Sequence, residues 1–175
     1  MGEVKIYIVK NEKQGADIVW QRKTGKDLLT RVLRTWLGDD KFVPNVKQSG
    51  SGKPYLVNSD LYFNISHSNR YVVCAIGEEE LGIDIQFHKN KNVDKIAARI
   101  MSVAEWQEYQ SAGDKSKFFF DLWAKKESYI KYTGEGIRSD LRLLDIKAYV
   151  QEIEVDEDYS CMLCAKEKYE CKMED

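Results

Sequence analysis

Residues 61–86 read LYFNISHSNRYVVCAIGEEELGIDIQ, and this stretch determines the predicted class of fold. Three runs rich in branched and aromatic side chains, at 61–66, 71–76 and 81–86, are separated by short polar turns. Such side chains favour strands, and short turns join neighbouring antiparallel strands. The stretch therefore predicts an antiparallel meander of three strands.

The chain before this meander predicts one strand and one helix. Residues 5–9 alternate weakly between apolar and polar and indicate the strand. Thr24 can cap the start of the helix and Gly38 can end it, whereas residues 41–59, which hold both prolines of the chain, indicate a loop. The helix is indicated by apolar residues that share one helical face, namely Leu28, Leu29, Val32, Leu33, Trp36 and Leu37.

The chain after the meander predicts helices first and strands last. The predicted helices are 94–101, 104–110 and 117–132, the last of which ends at Gly134. The predicted strands are 143–154 and 159–166, joined by an acidic turn. The polar residues from Glu167 onwards are expected to fray. Helices and antiparallel strands that occupy separate runs define an α+β fold.

Composition limits the classes of function. Hydrophobic residues make up 43% of the 175 positions, which suffices for a core in one compact domain or in two fused halves. The net charge of −2 argues against a nucleic-acid-binding protein, which carries a concentrated basic surface. A local basic cluster at 21–26 is compatible either with a solvated loop before a helix or with a binding role.

The opening of the chain and its apolar runs predict a cytoplasmic protein with no membrane association. Residues 1–10 do not resemble a signal peptide, and no apolar run approaches the ~18 residues that span a membrane. The four cysteines are then expected to stay reduced. Cys161 and Cys164 have the spacing of half a zinc site, but no second pair accompanies them, so we interpret them as incidental strand residues.

Asp84 is the first candidate for chemistry. On a strand, Ile83 and Ile85 share one face, whereas Gly82, Asp84 and Gln86 share the other. Aspartate is a poor strand former, so its place between two isoleucines needs a reason. Either it pairs with a buried lysine or backbone group, or it supplies a hard oxygen ligand for magnesium. The strand by itself favours neither interpretation.

The predicted helix 117–132 holds a second acid with lysines beside it. Trp123, Glu127 and Lys131 are four residues apart and share one stripe, and Lys126 lies in the same apolar helix. Glu127 and Lys131 can form a helix-stabilising pair worth only ~0.2–0.5 kcal/mol. Two carboxylates with adjacent ammonium groups are also what phosphoryl chemistry requires, because the acids hold a metal and the cations offset phosphate charge.

Two further motifs each have a structural and a functional interpretation. Ser66 and His67 lie at the end of a strand, where they can serve as turn residues or as donors to a phosphate. Glu105 follows Ser102 by three residues, which fits a capping box and explains the glutamate without a catalytic role. We keep Glu105 only as a possible site residue.

Five segments carry these residues in order along the chain. They are Gly52-Lys53-Pro54, Phe63-Asn-Ile-Ser-His-Ser68, Gly82-Ile-Asp-Ile85, Ser102-Val-Ala-Glu105 and Leu122-Trp-Ala-Lys-Lys-Glu-Ser-Tyr-Ile-Lys131. Together, over about residues 53–137, they resemble the Sfp-type 4′-phosphopantetheinyl transferases. The resemblance implies a pseudo-dimer of two similar α+β halves, with coenzyme A between them. Here the halves would be about 1–80 and 81–166, followed by a polar tail at 167–175.

The resemblance also implies roles for individual residues. The implied ligands of Mg²⁺ are Asp84 and Glu127, with Gln86 at a further metal position. The implied contacts to coenzyme A are Lys126 and Lys131 at the pyrophosphate, Ser66 and His67 at the 3′-phosphate, and Lys53, Arg22, Lys23 and Lys26 around the nucleotide. The implied catalytic residues are Asp84, Glu127 and Lys131.

The metal strand departs from the family pattern at one position. Members of the family often carry Asp-x-Glu there, whereas this chain has Asp84-Ile85-Gln86. A glutamine can ligate only through its neutral carbonyl oxygen, or it leaves the place to water. We therefore expect weaker magnesium affinity in the absence of substrate. Activity need not be lost, because magnesium commonly takes ligands from substrate phosphates.

The resemblance implies transfer of 4′-phosphopantetheine from coenzyme A to a serine of an apo acyl or peptidyl carrier protein, with release of 3′,5′-ADP. The partners would be the carrier protein and coenzyme A, and we expect a monomer. One alternative is a catalytically weakened module that binds coenzyme A or a carrier. A second alternative is a magnesium phosphohydrolase that acts on another nucleotide.

Overall fold

The computed structural model describes residues 3–12, 17–89, 92–136, 140–169 and 171–174. Helices and mainly antiparallel strands occupy separate stretches of the chain, so the predicted α+β class is confirmed. Two main sheets face each other across a shared core. Among the described residues, no helix combines the length and the apolar character needed to cross a membrane.

The first main sheet is built mostly from the N-terminal part of the chain. Its order is β4-β5-β1-β9, in which β1 pairs antiparallel with β5 and parallel with β9. The buried face of α1 covers this sheet, and β2 and β3 form a separate short hairpin. The elements are β1 (Val4–Lys10), α1 (Ile18–Leu37), β2 (Val46–Gln48), β3 (Pro54–Leu56), β4 (Tyr62–Ser68), β5 (Tyr71–Gly77) and β9 (Cys171–Glu174).

The second main sheet follows in the chain and carries three helices. Its order is β6-β8-β7, with both pairings antiparallel. Ile83 and Ile85 of β6 are buried in the core between the two sheets, as the alternation predicted. The elements are β6 (Leu81–Phe87), α2 (Asp94–Ile100), α3 (Val103–Ser111), α4 (Lys115–Thr133), a short 3₁₀ helix (Leu141–Leu143), β7 (Tyr149–Glu152) and β8 (Tyr159–Ala165).

The predicted three-strand meander is wrong at its third strand. β4 and β5 pair as expected, but the other edge of β5 is occupied by β1. β6 therefore pairs with β8, which lies some eighty residues further along the chain. Pairing over such a distance leaves no local signal in the sequence.

Two boundaries of α1 and α4 show how local chemistry sets helix ends. α1 begins at Ile18 and is capped by Asp17, so Thr24 lies inside the helix and the predicted start is wrong. Gly38 ends α1 and Gly134 ends α4, both with positive φ, as predicted. Only a residue without a Cβ adopts that conformation at little cost.

Three further predictions are corrected outside the helices. The predicted loop 41–59 contains the β2–β3 hairpin. The predicted strand 143–154 is confined to β7, because a 3₁₀ helix precedes it. The tail was expected to fray, yet Cys171–Glu174 pairs with β1, because that outer edge of the sheet is open to another strand. Residues 170 and 175 of the tail lie outside the described residues.

Candidate active site

A ladder of side chains joins β4 to β6 and sets the position of the candidate site. Asn64 Oδ1 accepts a hydrogen bond from the amide of Ile83 at 2.9 Å, and Ser66 Oγ accepts from the amide of Ile85 at 3.3 Å. The same pattern continues at Ser68, whose Oγ accepts from the amide of Phe87 at 2.9 Å. Alternate residues of one strand thus satisfy alternate amides of the other, which fixes their register.

Asp84 is the centre of the site. Its carboxylate is buried, and Oδ1 accepts from Lys131 Nζ at 2.6 Å and from Ser66 Oγ at 2.8 Å. Oδ2 accepts from the amide nitrogen of Gln86 at 2.7 Å. Charge-assisted hydrogen bonds of this kind hold a carboxylate firmly. The structure therefore brings Asp84, Lys131, Gln86 and Ser66 together.

Helix α4 reaches this strand because of Gly82. A Cβ at that position would lie well inside 3.0 Å of the carbonyl oxygen of Ser128 and the amide nitrogen of Tyr132, and 2.9 Å from the carbonyl carbon of Lys131. Real Cβ atoms essentially never approach backbone atoms so closely. The glycine therefore lets the helix backbone contact β6, and this contact delivers Lys131 to Asp84.

Glu127 lies half-buried on α4, one turn before Lys131. Burial raises the pKa of its carboxyl group, the negative charge of Asp84 raises it further, and the ammonium of Lys131 opposes the rise. The charges of Asp84 and Lys131 thus both act on Glu127, whereas the ammonium group itself contacts Asp84. Removing a proton from Glu127 is correspondingly unfavourable until more positive charge arrives.

This pair of carboxylates fits a hard divalent cation. Within the described residues, no cluster of three or more histidine, cysteine, aspartate or glutamate side chains could hold a metal ion. Magnesium commonly binds through one or two carboxylates and completes its octahedron with water and substrate phosphate oxygens. Asp84 and Glu127 match that donor set, and the mutual repulsion seen in the raised pKa of Glu127 is what a cation would relieve.

His67 and Arg22 lie beside this centre. The pKa of His67 is lowered, first by burial, then by the positive charge of Lys131 and less by that of Arg22. The positive charges of Lys131 and Arg22 that act on His67 would also attract an anion. Arg22 belongs to helix α1, so the basic cluster lies within a helix and not in a loop before one. Lys23 and Lys26 are exposed on the same helix, and Lys23 is 3.8 Å from Asp27.

Lys53 lies at the wall of a cavity of about 520 Å³ that also involves β4 and the end of α4. Its ammonium group donates to the carbonyl oxygens of Leu81 at 3.2 Å and Tyr132 at 3.0 Å, and to the carboxylate of Glu80. All three of its hydrogens thus have protein acceptors. Lys53 links the β2–β3 hairpin to β6 and α4, next to a space large enough for part of a nucleotide.

Two implied phosphate contacts are already engaged elsewhere. Lys126 is 2% exposed and points towards α2 and α3, where it pairs with Glu105 at 2.8 Å. Its ammonium group donates to Glu105 and to the carbonyl oxygens of Ile100 and Leu141, whereas Lys131 is the lysine at Asp84, so the expected contact of Lys126 with the pyrophosphate stays a prediction. Ser66 is likewise buried and its hydroxyl donates to Asp84, so its expected phosphate contact stays a prediction.

Glu105 forms the capping box that its spacing predicted. Its carboxylate accepts from the amide of Ser102 at 2.7 Å, and Ser102 Oγ accepts from the amide of Glu105 at 3.3 Å. The glutamate is therefore a structural residue of α3, whose carboxylate is bound by Ser102 and Lys126 instead of lying at Asp84. Sequence reasoning missed Asn64, Ser68 and Gly82. Polar residues at every second position of β4 were the available signal for the first two.

Comparison with known proteins identifies the family of this chain. Residues 80–172, more than half of the chain, match the sequence model of the 4′-phosphopantetheinyl transferase superfamily. The chain belongs to this superfamily. The matched region runs from β6 to β9 and contains Asp84, Glu127 and Lys131.

Individual relatives extend the likeness beyond that region. The chain is 38% identical over 138 residues to 4′-phosphopantetheinyl transferase gsp of Aneurinibacillus migulanus, which covers 74% of this chain and 57% of the relative. It is 31% identical over 134 residues to Sfp of Bacillus subtilis (strain 168), covering 65% and 59%. It is 32% identical over 121 residues to HetI of Nostoc sp., covering 65% and 51%. The chain thus spans between 51% and 59% of the length of these relatives.

Proposed function

We propose that this protein transfers 4′-phosphopantetheine from coenzyme A to a serine hydroxyl of an apo acyl or peptidyl carrier protein and releases 3′,5′-ADP. The observation that most supports this is that β6 and α4, which are distant in sequence, bring Asp84 close to Glu127 and Lys131. Two acids and a lysine at one point are suited to a reaction in which phosphate charge must be neutralised.

The residues of the chain would divide the work as follows. Asp84 and Glu127 would hold Mg²⁺, which when bound supplies the positive charge that offsets developing charge on the pyrophosphate. Lys131 now donates to Asp84, Ser66 and the carbonyl oxygen of Ile83, but unlike Lys126 its side chain is partly exposed. It would turn from Asp84 to a phosphate oxygen of the leaving group once Mg²⁺ supplies the positive charge there. Glu127 would also accept the proton of the carrier serine, directly or through a water.

Gln86 would orient Asp84 through the hydrogen bond that its amide nitrogen donates. Because position 86 is a glutamine, the site has one carboxylate fewer than the Asp-x-Glu pattern. Magnesium affinity should therefore depend strongly on the substrate phosphates. The amide oxygen of Gln86, or a water in its place, remains available as a neutral ligand.

Recognition of the nucleotide would rest on the basic edge around His67. His67 and Arg22 would contact the 3′-phosphate, supported by the exposed Lys23 and Lys26 of α1. Lys53 would act mainly by shaping the cavity beside it, because its ammonium hydrogens already have acceptors. The adenosine part of coenzyme A would lie on the side of the site that holds His67 and Arg22.

The two main sheets would represent the two halves of the pseudo-dimer, dividing at about residue 80. The tail 167–175 would then complete the first half through the pairing of β9 with β1. We further propose a cytoplasmic monomer that acts on a carrier protein. A weakened binding module is less favoured, because both acids and Lys131 are retained and Lys131 contacts Asp84.

Mass spectrometry of a carrier protein tests the proposal. The protein is incubated with coenzyme A, Mg²⁺ and each of several apo carriers. We expect one carrier to gain the mass of a single phosphopantetheinyl group, and no gain with EDTA or with the carrier serine replaced by alanine. Unmodified carriers throughout, after prolonged incubation, would refute the proposed activity. Tight binding of coenzyme A without transfer would then support the binding-module alternative.

A further inference from the structure

We propose that Lys126 is a positioning residue that anchors α4, so that Glu127 stays beside Asp84. It would act through protein oxygens and not on the substrate. The catalytic part of this inference rests on the proposed function, whereas the anchoring contacts do not. The residue directly precedes Glu127 in the helix.

The ammonium group of Lys126 is fully used by the protein. It donates to the carbonyl oxygen of Ile100 at 2.9 Å, to Glu105 Oε2 at 2.8 Å and to the carbonyl oxygen of Leu141 at 2.7 Å. A lysine has three hydrogens to donate. With its side chain 2% exposed, Lys126 has neither a free hydrogen nor a path to a substrate phosphate.

The three acceptors belong to three different pieces of structure. Ile100 is the last residue of α2, Glu105 belongs to the capping box of α3, and Leu141 begins the 3₁₀ helix. Glu105 is itself held by the amide of Ser102. One buried cation therefore gathers α2, α3 and the 3₁₀ helix around the middle of α4.

Contacts on two sides fix α4 relative to the metal strand. On the β6 side, Gly82 lies directly against the helix backbone from Ser128 to Tyr132. On the other side, Lys126 ties the helix to α2 and α3. Glu127 lies between these two fixed points, so the separation of its carboxylate from Asp84 depends on both. A displacement of about 1 Å at such a site can reduce turnover by about 10²-fold.

A role at the pyrophosphate would require this arrangement to break. Turning Lys126 to a phosphate would leave the carboxylate of Glu105 without its cation in a partly buried place, and would take the charged donor away from two carbonyl oxygens. Breaking a buried pair by removing one partner is strongly unfavourable, because the other charge remains uncompensated. The same reasoning supplies the test, since removing both charges should recover what removing one loses.

The test is a cycle of Lys126→Met, Glu105→Gln and the double variant, with Lys125→Met as the control. Lys125 is the exposed neighbour in the same helix. The melting temperature, coenzyme A affinity in EDTA, kcat, KM for coenzyme A and the half-saturating Mg²⁺ concentration are measured for each. Rates are compared well below the lowest melting temperature, so that every variant is folded.

For an anchor, we expect Lys126→Met to lower the melting temperature, reduce kcat by at least about tenfold and raise the Mg²⁺ requirement, because Glu127 shifts. Coenzyme A affinity in EDTA should stay within about twofold of the wild type, a difference below the value of one hydrogen bond to a charge. The double variant should regain part of both melting temperature and kcat. Lys125→Met should match the wild type.

Two results would overturn the inference. A loss of coenzyme A affinity of about tenfold or more, not recovered by adding Glu105→Gln, would identify Lys126 as a phosphate contact. A lowered melting temperature with unchanged kcat and Mg²⁺ requirement would identify a purely structural residue. If Lys126→Met does not fold, Glu105→Gln alone decides, because it weakens the same anchor while its amide oxygen still accepts from Ser102.

Failure of the proposed function would be recognised separately. If the wild type transfers nothing to any carrier, the affinity and melting-temperature measurements still apply. Unchanged coenzyme A affinity with recovery in the double variant would then support the anchor. An unrecovered loss of affinity would contradict it.

Discussion

Replacing Gly82 by alanine should separate β6 from α4 and thereby disable the site. The new methyl group would meet backbone atoms of Ser128, Lys131 and Tyr132, at distances that real Cβ atoms essentially never show. These atoms belong to the backbone of one turn of α4, so they cannot give way as the end of a flexible side chain can. The helix as a whole must move away from the strand.

Both stability and catalysis should report this movement. Inserting a methyl group into a filled space costs about 1–3 kcal/mol, and a contact with backbone favours the upper part of that range. A displacement of about 1 Å between Glu127 and Asp84 should lower kcat by about 10²-fold, because the metal-binding oxygens no longer converge. Affinity for coenzyme A should change less, since His67 and Arg22 lie on other elements.

Urea denaturation and transfer assays measure the two effects on Gly82→Ala. Gly113→Ala is the matched control, because a Cβ at Gly113 meets nothing within 4 Å and its φ is not positive. We expect the control to retain the stability and turnover of the wild type. A Gly82→Ala protein of unchanged stability and full turnover would refute the close contact between β6 and α4 and the dependence of the site on it.

Four further predictions concern single side chains. Asp84→Asn and Glu127→Gln should each cost at least ~3 kcal/mol of transition-state stabilisation in kcat/KM, because each removes an anionic metal ligand; near wild-type turnover at saturating Mg²⁺ would make that residue structural. Gln86→Glu should keep activity and lower the Mg²⁺ concentration for half-maximal rate, and an unchanged requirement would show that position 86 does not serve the metal. His67→Ala should weaken coenzyme A binding by roughly 1–3 kcal/mol but barely affect dephospho-coenzyme A, whereas equal losses would exclude a 3′-phosphate contact. Burial lowers the pKa of His88 below its ordinary 6.5, so the unfolded state binds more protons below that pH and the free energy of unfolding should fall as pH falls. Urea titrations at about pH 7 and about pH 5 should show a smaller fall for His88→Gln, and an equal fall would assign the pH dependence to other groups.

Much of the candidate site could be predicted because its spacing is local. Glu127 and Lys131 are one helical turn apart and share a face; Lys131 contacts Asp84, and the charge of Asp84 acts on Glu127. The same helical geometry predicts that Lys126 points away from Lys131. At 3.6 residues per turn, Lys126 and Lys131 differ by about 140° around the helix, so they cannot both face β6. The expectation that Lys126 contacts the pyrophosphate rested on the family resemblance and not on this geometry.

The position of Gln86 was predictable, whereas its partner was not. Alternation along the strand put Asp84 and Gln86 on one face, and the structure agrees. Which atom of the amide would face the aspartate depended on what else surrounds Asp84. With Lys131 and Ser66 at the other carboxylate oxygen, the amide nitrogen is the group that satisfies the remaining one.

By itself, the sequence determined the class of fold, the helix ends at Gly38 and Gly134, the inward face of β6 and the family to which the chain belongs. These depend on neighbours within a few residues, because capping, alternation and helical spacing are local properties of the backbone. Only the tertiary structure decided that β6 leaves β5 for β8, that the tail closes the first sheet, and that Lys126 pairs with Glu105. Those outcomes depend on which distant surface each edge or charge meets, and that competition has no local trace in the chain.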